Sequence, residues 1–181
     1  MARLERLILV AENRKKIKPI HIKYLKPIYK KILKRYSIRI SGDTVEIGIL
    51  AEDVKPDTIK YIEEHIGKVI EKRTIGTSKT DPIEAYVDLV KKQRYWEAHE
   101  ALENLWSTNR RPILQGIIQV TAAQVKAQEG RLMSASRMLK RAKERYRIDT
   151  LLDTKCLLRE TIRVYITGKS NILRCFKREL V

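Results

Sequence analysis

Residues 95–106 read Tyr-Trp-Glu-Ala-His-Glu-Ala-Leu-Glu-Asn-Leu-Trp, and residues 115–123 read Gln-Gly-Ile-Ile-Gln-Val-Thr-Ala-Ala. At about 100° per residue, a helix over 93–106 gathers Leu102, Trp106, His99, Glu103 and Trp96 into one face about 120° wide. Both tryptophans of the chain therefore share a face with two acid–base side chains. Glu100 falls at its edge, Glu97 and Asn104 point away, and Ala98, Ala101 and Leu105 make a second apolar strip. Such a helix is expected to be buried around most of its circumference. An ionised carboxylate there has to be paired or hydrogen-bonded, because uncompensated burial costs several kcal/mol or neutralises the group.

The next helix is expected over 112–129, with Pro112 suited to a first turn and Gly130 to a C-terminal cap. Ile113, Leu114, Ile117, Ile118, Val120 and Val125 form its apolar face, while Gln115, Gly116, Gln119, Ala122 and Ala123 form a strip of amides and small residues. Small residues let another helix approach closely. The economical packing docks this strip on His99, Glu100 and Glu103, so that Glu97, His99, Glu100, Glu103, Gln115 and Gln119 compose a buried polar network. His99, Glu103 and at least one of the two amides are expected to be hydrogen-bonded to one another.

The pattern Tyr-x-Glu-Ala-His-Glu-x-Leu-Glu-x-x-Trp, followed by Gln-Gly-x-Ile-Gln-x-x-Ala-Ala and a later Gly, resembles the helical family catalogued as domain of unknown function 309. The resemblance covers about residues 81–146 and rests on Glu97, His99, Glu100, Glu103, Trp106, Gln115, Gly116 and Gln119. It implies a small all-helical domain. It also implies the label carried by some members, predicted metal-dependent hydrolase, which names no substrate. Members commonly have Gly-Asn where this chain has Gly130 and Arg131.

The chain has 181 residues and a formal net charge of +17. Residues 1–80 hold 19 Lys and Arg against 10 acids and residues 81–181 hold 20 against 12, so the basicity belongs to both halves. Such a balance favours a polyanionic partner, nucleic acid or an anionic membrane surface. Cys156 and Cys175 are too far apart for a Cys-x-x-Cys motif, and neither a signal peptide nor a transmembrane segment is recognisable. The expectation is a cytoplasmic protein with reduced thiols. Abundant Ile, Lys and Arg with few Cys and Met resemble a thermophile's composition.

Before residue 80 the periodicity predicts a strand at 4–12, a helix at 20–36 that is either kinked by Pro27 or restarts near Lys26, strands at 37–40 and 44–50 around Ser41-Gly42-Asp43, a helix at 56–67 and a strand at 68–75. That order matches a ferredoxin-like βαββαβ domain over 1–79. Residues 76–80 are the linker candidate. An all-helical bundle is expected over 80–181, through helices at 81–90, 93–106, 112–129, 132–146, 151–167 and 171–180. The fold class is thus α+β in two domains.

Three functions compete. The first is non-catalytic association with nucleic acid through basic helices. Residues 13–42 contain eleven basic residues and no acid. Lys15, Lys16, Lys30, Lys31, Lys34 and Arg35 from this run, with Arg137, Arg141 and Arg145 spaced one per turn in the second half, are the candidate phosphate contacts. The hairpin strands lack the aromatics that stack bases in an RNA-reading sheet, which disfavours sequence-specific reading. The second function is a metal-dependent hydrolase with a divalent ion on His99, Glu100 and Glu103; no cofactor is expected otherwise. Glu103 stands where His-Glu-x-x-His needs its second imidazole. The third is a structural adaptor for an acidic protein partner. No Gly-x-Ser-x-Gly elbow or phosphate-binding Gly loop is present, so covalent catalysis is disfavoured.

Overall fold

The apolar run Leu7 to Val10 forms the middle of strand β1 (Arg6–Glu12) in a computed structural model that describes residues 6–30, 36–74 and 81–177. A 3-10 turn (Pro19–His21) leads into α1 (Ile22–Lys30), which runs through Pro27 instead of restarting there. Strands β2 (Tyr36–Ser41) and β3 (Thr44–Leu50) close the hairpin at Gly42, and α2 (Pro56–His65) precedes β4 (Val69–Thr74). The four strands form one antiparallel sheet in the order β2-β3-β1-β4.

Period-two alternation gives this sheet two unlike faces. One is aliphatic: Leu9, Ala11, Ile38, Ile40, Val45, Ile47 and Ile49 pack with Ile22 and Tyr29 of α1 and with Ile62 and Ile66 at the end of α2. The register puts the other set on the opposite face, pairing Arg39 with Glu46, Glu46 with Val10, and Ile8 with both Gly48 and Arg73. This second face is covered as well, by the helical half of the chain.

That half consists of α3 (Pro82–Lys91), α4 (Tyr95–Thr108), α5 (Pro112–Gln128), α6 (Leu132–Tyr146) and α7 (Thr154–Thr167). Asp81 caps α3 by accepting from the amides of Ile83 and Glu84, and Asp153 caps α7 in the same way on Lys155 and Cys156. The central α5 packs on α4, α6 and α7. A single apolar cluster running from Tyr86 to Cys175 holds the bundle together. The halves meet where the α3–α4 link and the end of α5 touch the β2 end: Ser41 Oγ and Gln128 Nε2 both donate to the Gln93 carbonyl, at 3.1 and 3.0 Å. Beside them, Gly168 at φ +78° brings the end of α7 so near the hairpin turn that a Cβ would lie 2.7 Å from the Gly42 nitrogen.

Several local expectations are corrected. Helix α4 starts at Tyr95, not 93, because Gln93 adopts φ +62° and turns the chain. The cysteines are not free thiols: after Gly168 the chain folds back, and Cys156 on α7 is disulfide-bonded to Cys175 in a 3-10 turn (Ile172–Cys175), with the Cα atoms 5.5 Å apart. That turn, with a bridge from Leu152 to Phe176, replaces the terminal helix expected from residue 171. Gly116 does not serve α4. A Cβ there would meet Ile148 Cγ2 at 2.4 Å and Tyr146 Cβ at 3.0 Å, so the close approach is to the chain that leaves α6. The linker candidate at 76–80 lies outside the described residues, as do Lys31, Lys34 and Arg35. Among the described residues no helix is long and apolar enough to cross a membrane.

Candidate functional site

On α4, His99 lies beside Trp96, the two rings nearly parallel with centroids 6.0 Å apart. Its Nδ1 is 3.6 Å from Glu100 Oε1 and its Nε2 is 3.7 Å from Glu103 Oε1, charge contacts longer than hydrogen bonds. The expected closed network does not form. The Nδ1 of His99 and the side-chain oxygens of Gln115 and Gln119 are buried without a hydrogen-bond partner among the described residues. Because the two glutamates stand at opposite ring nitrogens, an ion bound by one nitrogen would have only one of them beside it. Among the described residues no group of three or more His, Cys, Asp and Glu is placed to hold a metal ion. The donor set does not fit the divalent ion implied by the resemblance.

The side of α4 that faces away from His99 carries the denser electrostatics. Glu97 accepts from Arg73 Nη1 at 3.1 Å on both oxygens, and from Arg94 Nε at 2.9 Å and Nη2 at 2.5 Å. Arg73 also contacts Glu46 at 3.4 Å and Glu71 at 2.9 Å, and Glu46 in turn accepts from Arg39 Nε at 3.3 Å. Arg39 and Glu46 are almost completely buried, at 2% and 1% exposure. A chain of ion pairs, Arg39 to Glu46 to Arg73 to Glu97 to Arg94, thus crosses from strand to strand and from sheet to helix. Burial alone would raise the Glu97 pKa, but the hydrogen bonds from Arg94 and the charge of Arg73 hold it below the ordinary carboxylate value. Burial disfavours the charge on Arg73, yet Glu97, Glu71 and Glu46 keep its pKa above normal.

Sequence reasoning named Glu97 but neither Arg39 nor Glu46 nor Arg73 as part of a buried cluster. Arg39 stands between Ile38 and Ile40, and Glu46 between Val45 and Ile47. In a strand that alternation usually marks a face turned to water. Arg39, counted in the basic run, is therefore not a surface cation. Where this polar face meets α4 and α5 there is a cavity of about 340 Å³, lined among others by Ser37, Arg39, Gly48, Trp96, Lys126 and Glu129.

The candidate phosphate contacts among the described residues are solvent-facing. Lys15, Lys16 and Lys30 are exposed, as are Arg137, Arg141 and Arg145 on α6. Lys15 Nζ reaches the Glu64 carbonyl at 3.3 Å. On α6, Lys140 and Lys143 are exposed too, while Ala135 and Ala142 turn inward.

Residues 83–138 match the model of a family described as Domain of unknown function (DUF309), a span that runs from α3 through α4 and α5 into α6. No curated protein and no solved structure matches the chain.

Proposed function

We propose that the chain carrying this DUF309 segment binds nucleic acid without reading its sequence, through the cationic face of α6. The observation that carries the reading is the exposed series Arg137, Lys140, Arg141, Lys143 and Arg145, continued by Arg147, beside a single acid in the helix, Glu144. Glu144 lies 3.7 Å from Lys140, which leaves the arginines to face solvent. Arginines spaced one per turn on a rigid helix suit a repeating phosphate backbone, because each guanidinium can hydrogen-bond a phosphate in two places. Lys15, Lys16 and Lys30 extend the positive surface of the N-terminal half.

The same reading takes residues 1–79 as a ferredoxin-like domain and 80–181 as a helical domain, acting in the cytoplasm. The strand order β2-β3-β1-β4 with antiparallel pairing supports the first part, and the two separate apolar clusters support the division.

Binding of labelled duplex DNA and of single-stranded RNA, titrated between about 50 and 200 mM salt, tests the proposal. Affinity should fall steeply, with a log–log slope near −0.9 for each phosphate contact on duplex DNA. The variant Arg137→Glu, Arg141→Glu, Arg145→Glu should flatten that slope by about two to three contacts. No association at the lowest salt, or an affinity that this variant leaves unchanged, rejects it.

A further inference from the structure

We infer that the cavity between the second sheet face and helices α4 and α5 binds a small organic acid, a molecule with one oxyanion, carboxylate or phosphate, on an apolar body. Two buried donors at the cavity have no acceptor among the described residues. Arg39 is 2% exposed and fully committed on one side only: its Nε donates to Glu46 and its Nη1 to Ser37 Oγ at 3.1 Å. Its Nη2 is buried with no hydrogen-bond partner among the described residues, and so is Trp96 Nε1. Both residues line the cavity, and the Arg39 guanidinium carbon lies 5.3 Å from the centre of the indole. A guanidinium and an indole N–H only donate, so whatever completes them must accept.

The carboxylate lining the cavity, Glu129, and the one bonded to Arg39, Glu46, are both engaged. Glu46 is shared between Arg39 and Arg73, and Glu129 is held by Lys126 at 2.9 Å and Arg131 at 3.8 Å. Along the buried chain of ion pairs, three guanidinium groups stand against the two carboxylates of Glu46 and Glu97, with the half-exposed Glu71 at the outer edge beside Arg73. The unpartnered donor lies at the Arg39 end of that chain. Ser37 accepts from Arg39, which leaves its hydroxyl hydrogen available to a ligand. A smaller hollow of about 110 Å³ shares Ser37, Lys126 and Glu129 with the cavity and adds Lys26 and Arg131, so cations also mark the neighbouring space.

The rest of the lining sets the ligand's body. Ile8 and Leu50 supply apolar wall, and Gly48 keeps the floor open: a Cβ there would lie 2.6 Å from Ser37 Oγ and 3.7 Å from Arg39 Nη2. About 340 Å³ falls at the small end of ordinary ligand pockets. An apolar wall with a few convergent donors selects a compact acid over a bare inorganic ion.

Calorimetric titration of the full chain with benzoate, phenyl phosphate and inorganic phosphate tests this. One saturable site for benzoate or phenyl phosphate is expected, and the tighter of the two identifies the oxyanion. Inorganic phosphate should bind more weakly than either. Trp96→Phe keeps an aromatic side chain and removes the N–H donor, and should weaken binding about tenfold, the loss typical of a hydrogen bond to a charged group. Arg39→Lys keeps a charge for Glu46 but loses the second donor, and should weaken binding at least as much; if it does not fold, Trp96→Phe remains decisive. Arg137→Glu with Arg141→Glu should leave the affinity unchanged, which separates this site from the nucleic-acid face. Absence of saturation by all three probes, equal affinity for inorganic phosphate and phenyl phosphate, indifference to Trp96→Phe, or loss on changing α6 would each overturn the inference.

Discussion

Gln93 ties together β2, the end of α5 and the segment after α7. It stands at φ +62° between α3 and α4, where its carbonyl accepts from β2 and from the end of α5. Its side-chain amide donates to the Ser170 carbonyl and accepts from the Ser170 N–H, both at 2.7 Å. Removing the side chain leaves Ser170 unsatisfied in a buried place and should cost about 2 kcal/mol. A left-handed backbone costs a residue with Cβ roughly 1 to 2 kcal/mol, so glycine relieves part of what alanine does not. Chemical denaturation should therefore rank wild type above Gln93→Gly, and Gln93→Gly above Gln93→Ala. If Ala equals Gly, backbone strain contributes nothing at this turn. Gly116 makes the opposite case, with space rather than conformation at issue. Alanine would gain about 1 kcal/mol of helix propensity. The overlap with Ile148 and Tyr146 should outweigh this and give a net loss of about 1 to 2 kcal/mol. Ile148→Ala should cost less in the Gly116→Ala background than in the wild type, a coupling that a double-mutant cycle measures.

At the scale of elements, the segment after α7 is held by two unlike devices. Glu160, 1% exposed, accepts from the Asn171 N–H at 2.6 Å and pairs with Arg174, while the disulfide ties Cys175 to the first turn of α7. Closing a loop of this length stabilises by about 3 kcal/mol in the chain-entropy account. Reduction, or Cys175→Ser, should lower the thermal midpoint by about 6 to 12 °C. A midpoint unchanged by reductant, with two titratable thiols in the untreated protein, would count against the bond. The elements themselves were largely legible, because Ile38, Ile40, Val45, Ile47 and Ile49 alternate strictly and Ala135, Leu139 and Ala142 recur at helical spacing. The disulfide was not, since nothing local to Cys156 signals a partner 19 residues away. Of the His99 cluster, its membership on one helix face was readable; whether its polar atoms meet depends on side-chain distances that a helical wheel does not contain. The partner of Glu97 was also hidden. A wheel shows that this carboxylate leaves the His99 face, but it does not say that the side it turns to is the sheet.

For the whole molecule, the arrangement has a sheet covered on both faces by unlike material: aliphatic against α1 and α2, and charged where it meets α4. Ile8, Val10 and Leu50 give the second contact some apolar area, but its alignment rests on ion pairs reaching from three strands to one helix. Buried ion pairs add little net stability when intact and cost heavily when one partner is lost, so they act on the alignment of the halves more than on its free energy. Glu97 is where this becomes measurable, because it pairs with both Arg73 and Arg94. Glu97→Gln keeps the shape and removes the charge. It should destabilise by about 2 to 3 kcal/mol near neutral pH, less than for a fully enclosed pair because Arg94 is 29% exposed. The sign of the pH dependence follows from the lowered pKa. The folded protein binds the Glu97 proton less readily than the unfolded chain, so this contribution is complete above the ordinary value of 4.5 and is lost as pH falls below it, through the folded value. Unfolding free energies of wild type and Glu97→Gln should differ by a constant amount from neutral pH down to about 5, and converge as the solution becomes more acid. A gap that stays constant into strong acid would mean that Glu97 titrates alike in both states, and the charge chain would not join the halves.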